Sequence, residues 1–405
     1  MGVVKVRIAR PFSREAALKR SIRNHLRGLG FEKGANGQLS LPRACKDAIR
    51  AAHGEQRRES IAASHRFLQK ALPRALGCFA DGHLIEPSRI KLCLRRVRSG
   101  TLEADVFRVA TLTWSVPVSP GFGRRIRYLV WDEEHNRAAG VIALGDPVYN
   151  LAARDSLIGW TAQDRSERLV NVLDAYVLGA VPPYNMLLGG KAIACLVRSR
   201  DIYEDFAQSY GNSVGIISSK AKNARLVAVT TSSSLGRSSI YNRLRISETD
   251  YFKRIGYTEG WGHFHVGREL FDDMKLFLRD RAHSYPDSYN FGEGPNWRLR
   301  TIRVALAELN LSPELLRHGV RREVFMASLA TNASDVLRTG TAMPEISDLL
   351  SVSEISDLAR DRWMVPRSEH RLEFKNWRAN MIPSLIQTGI HQSSYQGATE
   401  LASVC

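Results

Sequence analysis

Apolar residues near the start of the chain recur at intervals of three and four. Leu18, Ile22, Leu26 and Leu29 form one stripe flanked by Lys19, Arg20, Arg23 and Arg27, which predicts an amphipathic helix over residues 13–29. Ser13 is its expected N-cap, without a capping box, because Ala16 occupies the third position. Arginine-rich helices are also expected over residues 43–52 and from about 55 to 76. From residue 101 the texture changes. Val106 to Val116 alternates like a strand, and IRYLVWD and AAGVIAL on either side of EEHNR predict a β-hairpin. A short helix is expected over residues 163–169.

The most informative stretch follows, from Asn171 to Tyr210. An apolar run from Val172 to Val181, interrupted by Asp174, Tyr176 and Gly179, ends at Pro182 and Pro183, which cannot continue a ladder. Tyr184, Asn185, Gly189, Gly190 and Lys191 come next, and then a helical pattern reaching Tyr210. A strand, a glycine pair and a helix start can together hold an anion on free backbone N–H groups. The competing reading is a tight turn that needs glycine only for packing. Farther on, RLVAVTT predicts a strand leading into the polar loop Ser232–Ser239. A short helix ending at Gly256, a strand carrying Trp261, His263 and His265, and a helix over residues 271–281 complete this part. The remainder reads as helical, including residues 299–309, with a polar tail beyond Met381. These elements imply an α/β (α+β) protein with a mixed-sheet core. The expected division is a helical block over residues 1–100, the core over 101–285 and a helical region over 286–405.

Charge sharpens this division. The net charge is +17, and residues 1–100 carry 22 Lys and Arg against 7 Asp and Glu, leaving the rest nearly neutral. A basic block attracts polyanions through counterion release, which makes nucleic acid, DNA in the first instance, the expected partner. Arg20, Arg23, Arg27, Arg57, Arg58, Arg95 and Arg96 are its candidate contacts. A basic surface kept for solubility, or for an acidic protein partner, is the alternative. No apolar run reaches the roughly 18–20 residues that cross a bilayer, so no membrane role and a cytoplasmic location are expected. The five cysteines form no CxxC pair and read as free thiols. No metal site or cofactor is expected.

Candidate chemistry is sparse. Asp174 and Tyr176, two apart in an apolar strand, would share a face, and a carboxylate there needs a partner or a cleft. Ser233, Arg237, Ser238 and Ser239 could contact phosphates, or could simply cap the following turn. His263-Phe264-His265 has the His–hydrophobic–His form of metal-dependent single-strand nickases, which would require a helical tyrosine such as Tyr285 or Tyr289. Pro286, however, interrupts that helix face.

The element order over residues 105–270 resembles the acyl-CoA-binding fold of GNAT acetyltransferases, whose glycine turn cradles the CoA pyrophosphate. Placing that motif's first glycine at Gly189 puts Met186 where Arg or Gln belongs and Lys191 where a small residue belongs. Both departures count against CoA. Longer phrases, among them VPVSPGFGRRIRYLVWD, LGDPVYNLAARDSLIGW, DAYVLGAVPPYNMLLGGKAIA, TTSSSLGRSSIYNRL, GYTEGWGHFHV and GPNWRLR, resemble the DruA family of Druantia anti-phage systems over residues 80–330. That resemblance implies a cytosolic bacterial defence component but no particular reaction. The expected function is nucleic-acid binding within such a system. The alternatives are an acyl-CoA-dependent transferase of GNAT type, or a scaffold subunit docking on other defence proteins.

Overall fold

The computed structural model describes residues 13–35, 39–41, 45–119, 121, 123–214, 221–283 and 297–388. The chain forms two compact units from interleaved segments, Met1–Gln56 with Glu259–Val320 and Arg57–Thr258 with Arg321–Cys405. The basic first hundred residues are thus divided between the two units.

In the smaller unit, helix Arg14–Gly28 is capped as its sequence demands, with Ser13 Oγ accepting from Ala16 N at 3.2 Å. Leu18, Ile22 and Leu26 are buried with Phe271, Met274 and Leu278 of helix Arg268–Asp280 and Ile302 of helix Trp297–Glu308. Arg20, Arg23 and Arg27 point outward.

The larger unit is built on a seven-stranded sheet of β1 (Leu92–Arg96), β2 (Arg125–Asp132), β3 (Arg137–Gly145), β4 (Val172–Ala180), β5 (Ala228–Ser232), β6 (Lys253–Tyr257) and β7 (Glu323–Ser328). Its order is β6-β7-β5-β4-β3-β2-β1, and β4–β5 is the parallel pair. Those two strands pair only from Val172↔Ala228 to Asp174↔Thr230. Strand alternation sends side chains to two cores. Ile126, Tyr128 and Val130 pack toward helices Gly189–Leu196, Arg200–Tyr210 and Val352–Ala359. Leu129, Trp131, Val141 and Val177 pack toward helices His65–Leu76, Leu102–Leu112 and Ile382–Thr388.

The expected hairpin is present, with β2 and β3 paired from Arg125↔Gly145 to Asp132↔Arg137. Several other expectations change. Val106 to Val116 is not a strand: residues Leu102–Leu112 are a helix, capped by Thr101 with Glu103 and Asp105 in its first turn. Val106, Phe107, Val109 and Ala110 are its buried positions, a helical face of i, i+3 and i+4 spacing that the apparent alternation masked. Residues 189–210 form two helices, because Arg198 turns inward to Ser328 O at 2.7 Å and Ser199 caps a second start. The segment ending at Gly256 is strand β6 rather than a helix. At Gly256 φ is +153° and a Cβ would lie 2.8 Å from that of Ala153, so glycine admits the close approach of helix Ala152–Ile158. The C-terminal region, expected as helical, also supplies β7, a strand inserted between β5 and β6.

Candidate functional site

The strand–glycine–helix unit forms as expected, but its groups are turned inward. Tyr184 is fully buried and its hydroxyl donates to Asp132 Oδ2 at 2.8 Å. A Cβ at Gly189 would sit 2.5 Å from Tyr184 O, so glycine is needed there for packing. Lys191 Nζ lies 5.5 Å from the centroid of the Trp363 ring. Asn185 stays exposed, and Gly190 faces Ile240.

Asp174 sits where β4 and β5 begin to part and accepts from Thr230 Oγ1 at 2.8 Å. Burial raises its pKa to about 6, against the pull of Thr230 and the nearby Arg154 guanidinium. A raised carboxyl pKa means that folding favours the protonated form. The penalty is absent below the unfolded value near 4 and complete above about 6. Asp174→Asn is therefore expected to gain about 1–3 kcal/mol relative to wild type between pH 4 and pH 7. Urea unfolding of both proteins at the two pH values checks this; an unchanged difference refutes it.

Tyr176 lies at a register shift of β4 against β3, with its ring against Gly121 and Gly145. Burial raises its hydroxyl pKa, while Arg127 and Arg125 pull it down. Asp146 and Asp155 are committed to arginines: Arg124 Nε donates to Asp146 at 2.7 Å, and Arg154 Nε and Arg165 donate to Asp155, each at 2.8 Å.

The polar loop after β5 is organised by the buried Glu323. Its carboxylate accepts from Ser238 N at 2.8 Å and Asn242 Nδ2 at 3.0 Å. Ser238 Oγ in turn accepts from Ile240 N and Tyr241 N. Ser233 is buried and its backbone N donates to Glu323 O, Ser238 is buried in this network, and Arg237 and Ser239 face solvent.

The histidine motif is a correction. His263 and His265 lie in a turn and not on a strand, so a shared strand face does not exist. His265 Nε2 bonds Leu315 O at 2.8 Å, and burial lowers both pKa values to about 4. Tyr285 and Tyr289 lie outside the described residues. No group of three or more metal-ligating side chains occurs among the described residues. Burial raises the Cys93 pKa to about 11 and that of Cys195 well above its ordinary value, so neither thiol is activated.

The predicted arginines part ways. Arg57 is buried and donates to the carbonyls of Trp114, Gln387, Leu385 and Ile386, closing the end of helix Ile382–Thr388. Arg95 lies 4.1 Å over Trp131. Arg58 is exposed. Arg96 lines a channel of about 770 Å³ with Arg98, Arg125 and Arg127. Arg96 is the last residue of β1, and Arg125 and Arg127 share one face at the start of β2; the channel therefore lies where β1 ends and β2 begins. Gln208, Ser209 and Tyr210 form its far wall, and Arg96 donates to Ser209 Oγ at 2.8 Å. Tyr210 Oη accepts from Arg125 N at 2.9 Å and donates to Arg125 O, fixing the strand's start. None of the described residues that line the channel is acidic. Sequence reading missed Arg98, Arg125 and Arg127. The available signal was the pair of RRxR runs, Arg95–Arg98 and Arg124–Arg127, on strands that become neighbours.

A second network also escaped the sequence. Asp132, fully buried, accepts from Tyr184 Oη, from His135 Nδ1 at 2.6 Å and from Lys91 N at 3.1 Å. His135 Nε2 accepts from Glu86 N at 3.0 Å. Both ring nitrogens are occupied, so the imidazole has no lone pair for a substrate, and the buried Tyr–Asp–His chain serves to tie these segments together.

No helix among the described residues is long and apolar enough to cross a membrane. No solved structure matches this chain. A protein of Escherichia coli (strain UMEA 4076-1), Druantia protein DruA, is 55% identical over 366 residues, which cover 90% of this chain and 91% of that protein. The family described as Druantia protein DruA matches residues 43–339, a span holding the whole sheet and the arginine channel. The chain belongs to the Druantia protein DruA family, components of an anti-phage defence system.

Proposed function

We propose that this defence component binds nucleic acid through phosphate contacts, centred on Arg96, Arg98, Arg125 and Arg127. The observation that carries this reading is the channel where β1 ends and β2 begins, which four arginines line with no carboxylate among its described lining residues. Guanidinium forks match phosphate oxygens in pairs, and a one-signed concave surface concentrates a polyanion. The exposed Arg20, Arg23, Arg27, Arg58 and Arg237 add contacts outside the channel. Such contacts position a strand without reading its sequence, so little base preference is expected from them. DNA is the first partner to test.

Binding to a short DNA measured from 50 to 200 mM salt tests the reading. Each phosphate neutralised contributes about 0.9 to the slope of log affinity on log salt for duplex and about 0.7 for single strands. The quadruple Arg96→Ala, Arg98→Ala, Arg125→Ala, Arg127→Ala variant should flatten that slope by about 3. An unchanged slope, or no DNA binding by wild type, refutes the proposal.

One observation favours a second reading, a GNAT-type acyl-CoA transferase. The parallel strands β4 and β5 separate after three residues, and the glycine turn follows β4 after one short 3-10 turn, Tyr184–Leu187. Tyr241 reaches into that gap, with its hydroxyl 3.5 Å from Leu178 O and its ring against Phe252 and Phe325. The gap is thus filled by the chain's own side chain, and Met186 and Lys191 depart from the GNAT turn. Calorimetry with acetyl-CoA decides: micromolar binding lost in Gly190→Glu would promote this reading over the first.

A further inference from the structure

A cavity of about 590 Å³ adjoins the arginine channel and shares Ser99, Arg125 and Arg127 with it. Its size falls among pockets that hold small ligands. Beyond the shared arginines the wall becomes aromatic, with Phe67, Phe107 and Trp114. Cation and ring adjoin directly, since the Arg127 guanidinium lies 5.9 Å from the Phe107 centroid. Arg108, which also lines the cavity, lies 4.0 Å over Phe67 and donates to Ser64 Oγ at 3.2 Å, which holds it against that ring. The carboxylate on this wall, Asp105, is paired with Arg74. One compartment therefore suits an anion, and its neighbour suits a flat ring.

We infer that this cavity holds one nucleotide, with its phosphate on Arg125 and Arg127 and its base against Phe67, Phe107 and Trp114. The inference rests on the phosphate-binding reading of the arginines and adds a base compartment to it. Stacking on aromatic walls accepts any base, because every base has a π face. A free nucleoside phosphate and an unpaired nucleotide of a bound strand share this chemistry.

Two measurements on the full-length protein separate these sources. The first titrates ATP, GTP, CTP and UTP calorimetrically. The second follows the fluorescence of a single-stranded oligonucleotide carrying one 2-aminopurine. Saturable nucleotide binding assigns the free ligand; stacking-dependent quenching without it assigns the strand. Phe67→Ala should weaken whichever signal appears by roughly ten-fold or more. Ser60→Trp, which fills the cavity without removing a core side chain, should do the same. Neither signal in wild type, or a signal indifferent to Ser60→Trp, overturns the inference. Salt-dependent strand binding without quenching and without nucleotide binding overturns the pocket and leaves the arginine channel standing. Nucleotide binding without any strand binding does the reverse.

Discussion

Asp132→Ala is expected to destabilise the larger unit by about 3–5 kcal/mol, a large share of a domain's stability. The carboxylate is fully buried and accepts three hydrogen bonds, from Tyr184 Oη, His135 Nδ1 and Lys91 N. Removing it leaves three donors without a partner, and desolvated donors cost more than the net gain of the bonds they had made. Tyr184→Phe removes only one donor and should cost about 1–2 kcal/mol. The double variant should then show strong coupling, since the two residues share one bond. Denaturant unfolding of the four proteins of this cycle measures both numbers. A cost below about 1 kcal/mol for Asp132→Ala would show that water replaces the carboxylate. That outcome would return the Tyr–Asp–His chain to consideration as an open site.

The second large effect is a loss of stability in acid from the smaller unit. Burial lowers the pKa of His263 to about 4, aided by the Arg298 charge, and burial likewise lowers that of His265 to about 4. Unfolded imidazoles take up a proton near pH 6.5, whereas the folded pair stays neutral down to about pH 4. The unfolded state thus binds more protons in that window, and stability must fall as pH falls through it. Each ring taken singly accounts for about 3 kcal/mol, and the two together for less than the sum, because His263 contributes to the shift of His265. Hydrogen exchange at helix Arg14–Gly28, corrected for intrinsic rate, should show protection falling between pH 6.5 and 4. His265→Leu should flatten the profile. Protection that holds constant across that range would mean that the rings are hydrated and titrate normally.

These predictions depend on different depths of information in the chain. Helix Arg14–Gly28, the β2–β3 hairpin and the end of β4 just before the Pro182–Pro183 pair are legible because each is a local pattern. Ser13 could be read as a cap because the bond it makes spans three residues. Helix Leu102–Leu112 was misread because Val106, Thr111 and Thr113 favour strands, and its i, i+3, i+4 burial appears only once a sheet lies beneath it. Arg57 looks like a surface cation in the sequence because nothing nearby says that its partners are the carbonyls around Ile386. Tyr184 looks like a ligand-binding residue in the sequence because the carboxylate that claims its hydroxyl comes from a hairpin far upstream.

The sequence by itself determined the family, the basic first hundred residues and the strand–glycine–helix unit, all of them properties of contiguous residues. Only the tertiary structure decided which charged groups are buried in the fold and which line its surface. That choice follows from burial: a guanidinium or carboxylate withdrawn from water must find partners, and those partners come from distant segments. Arg57, Asp132 and Glu323 found them inside. Arg96, Arg98, Arg125 and Arg127 came together where β1 ends and β2 begins because those strands pair there, and the channel they line is the surface on which the proposed function rests.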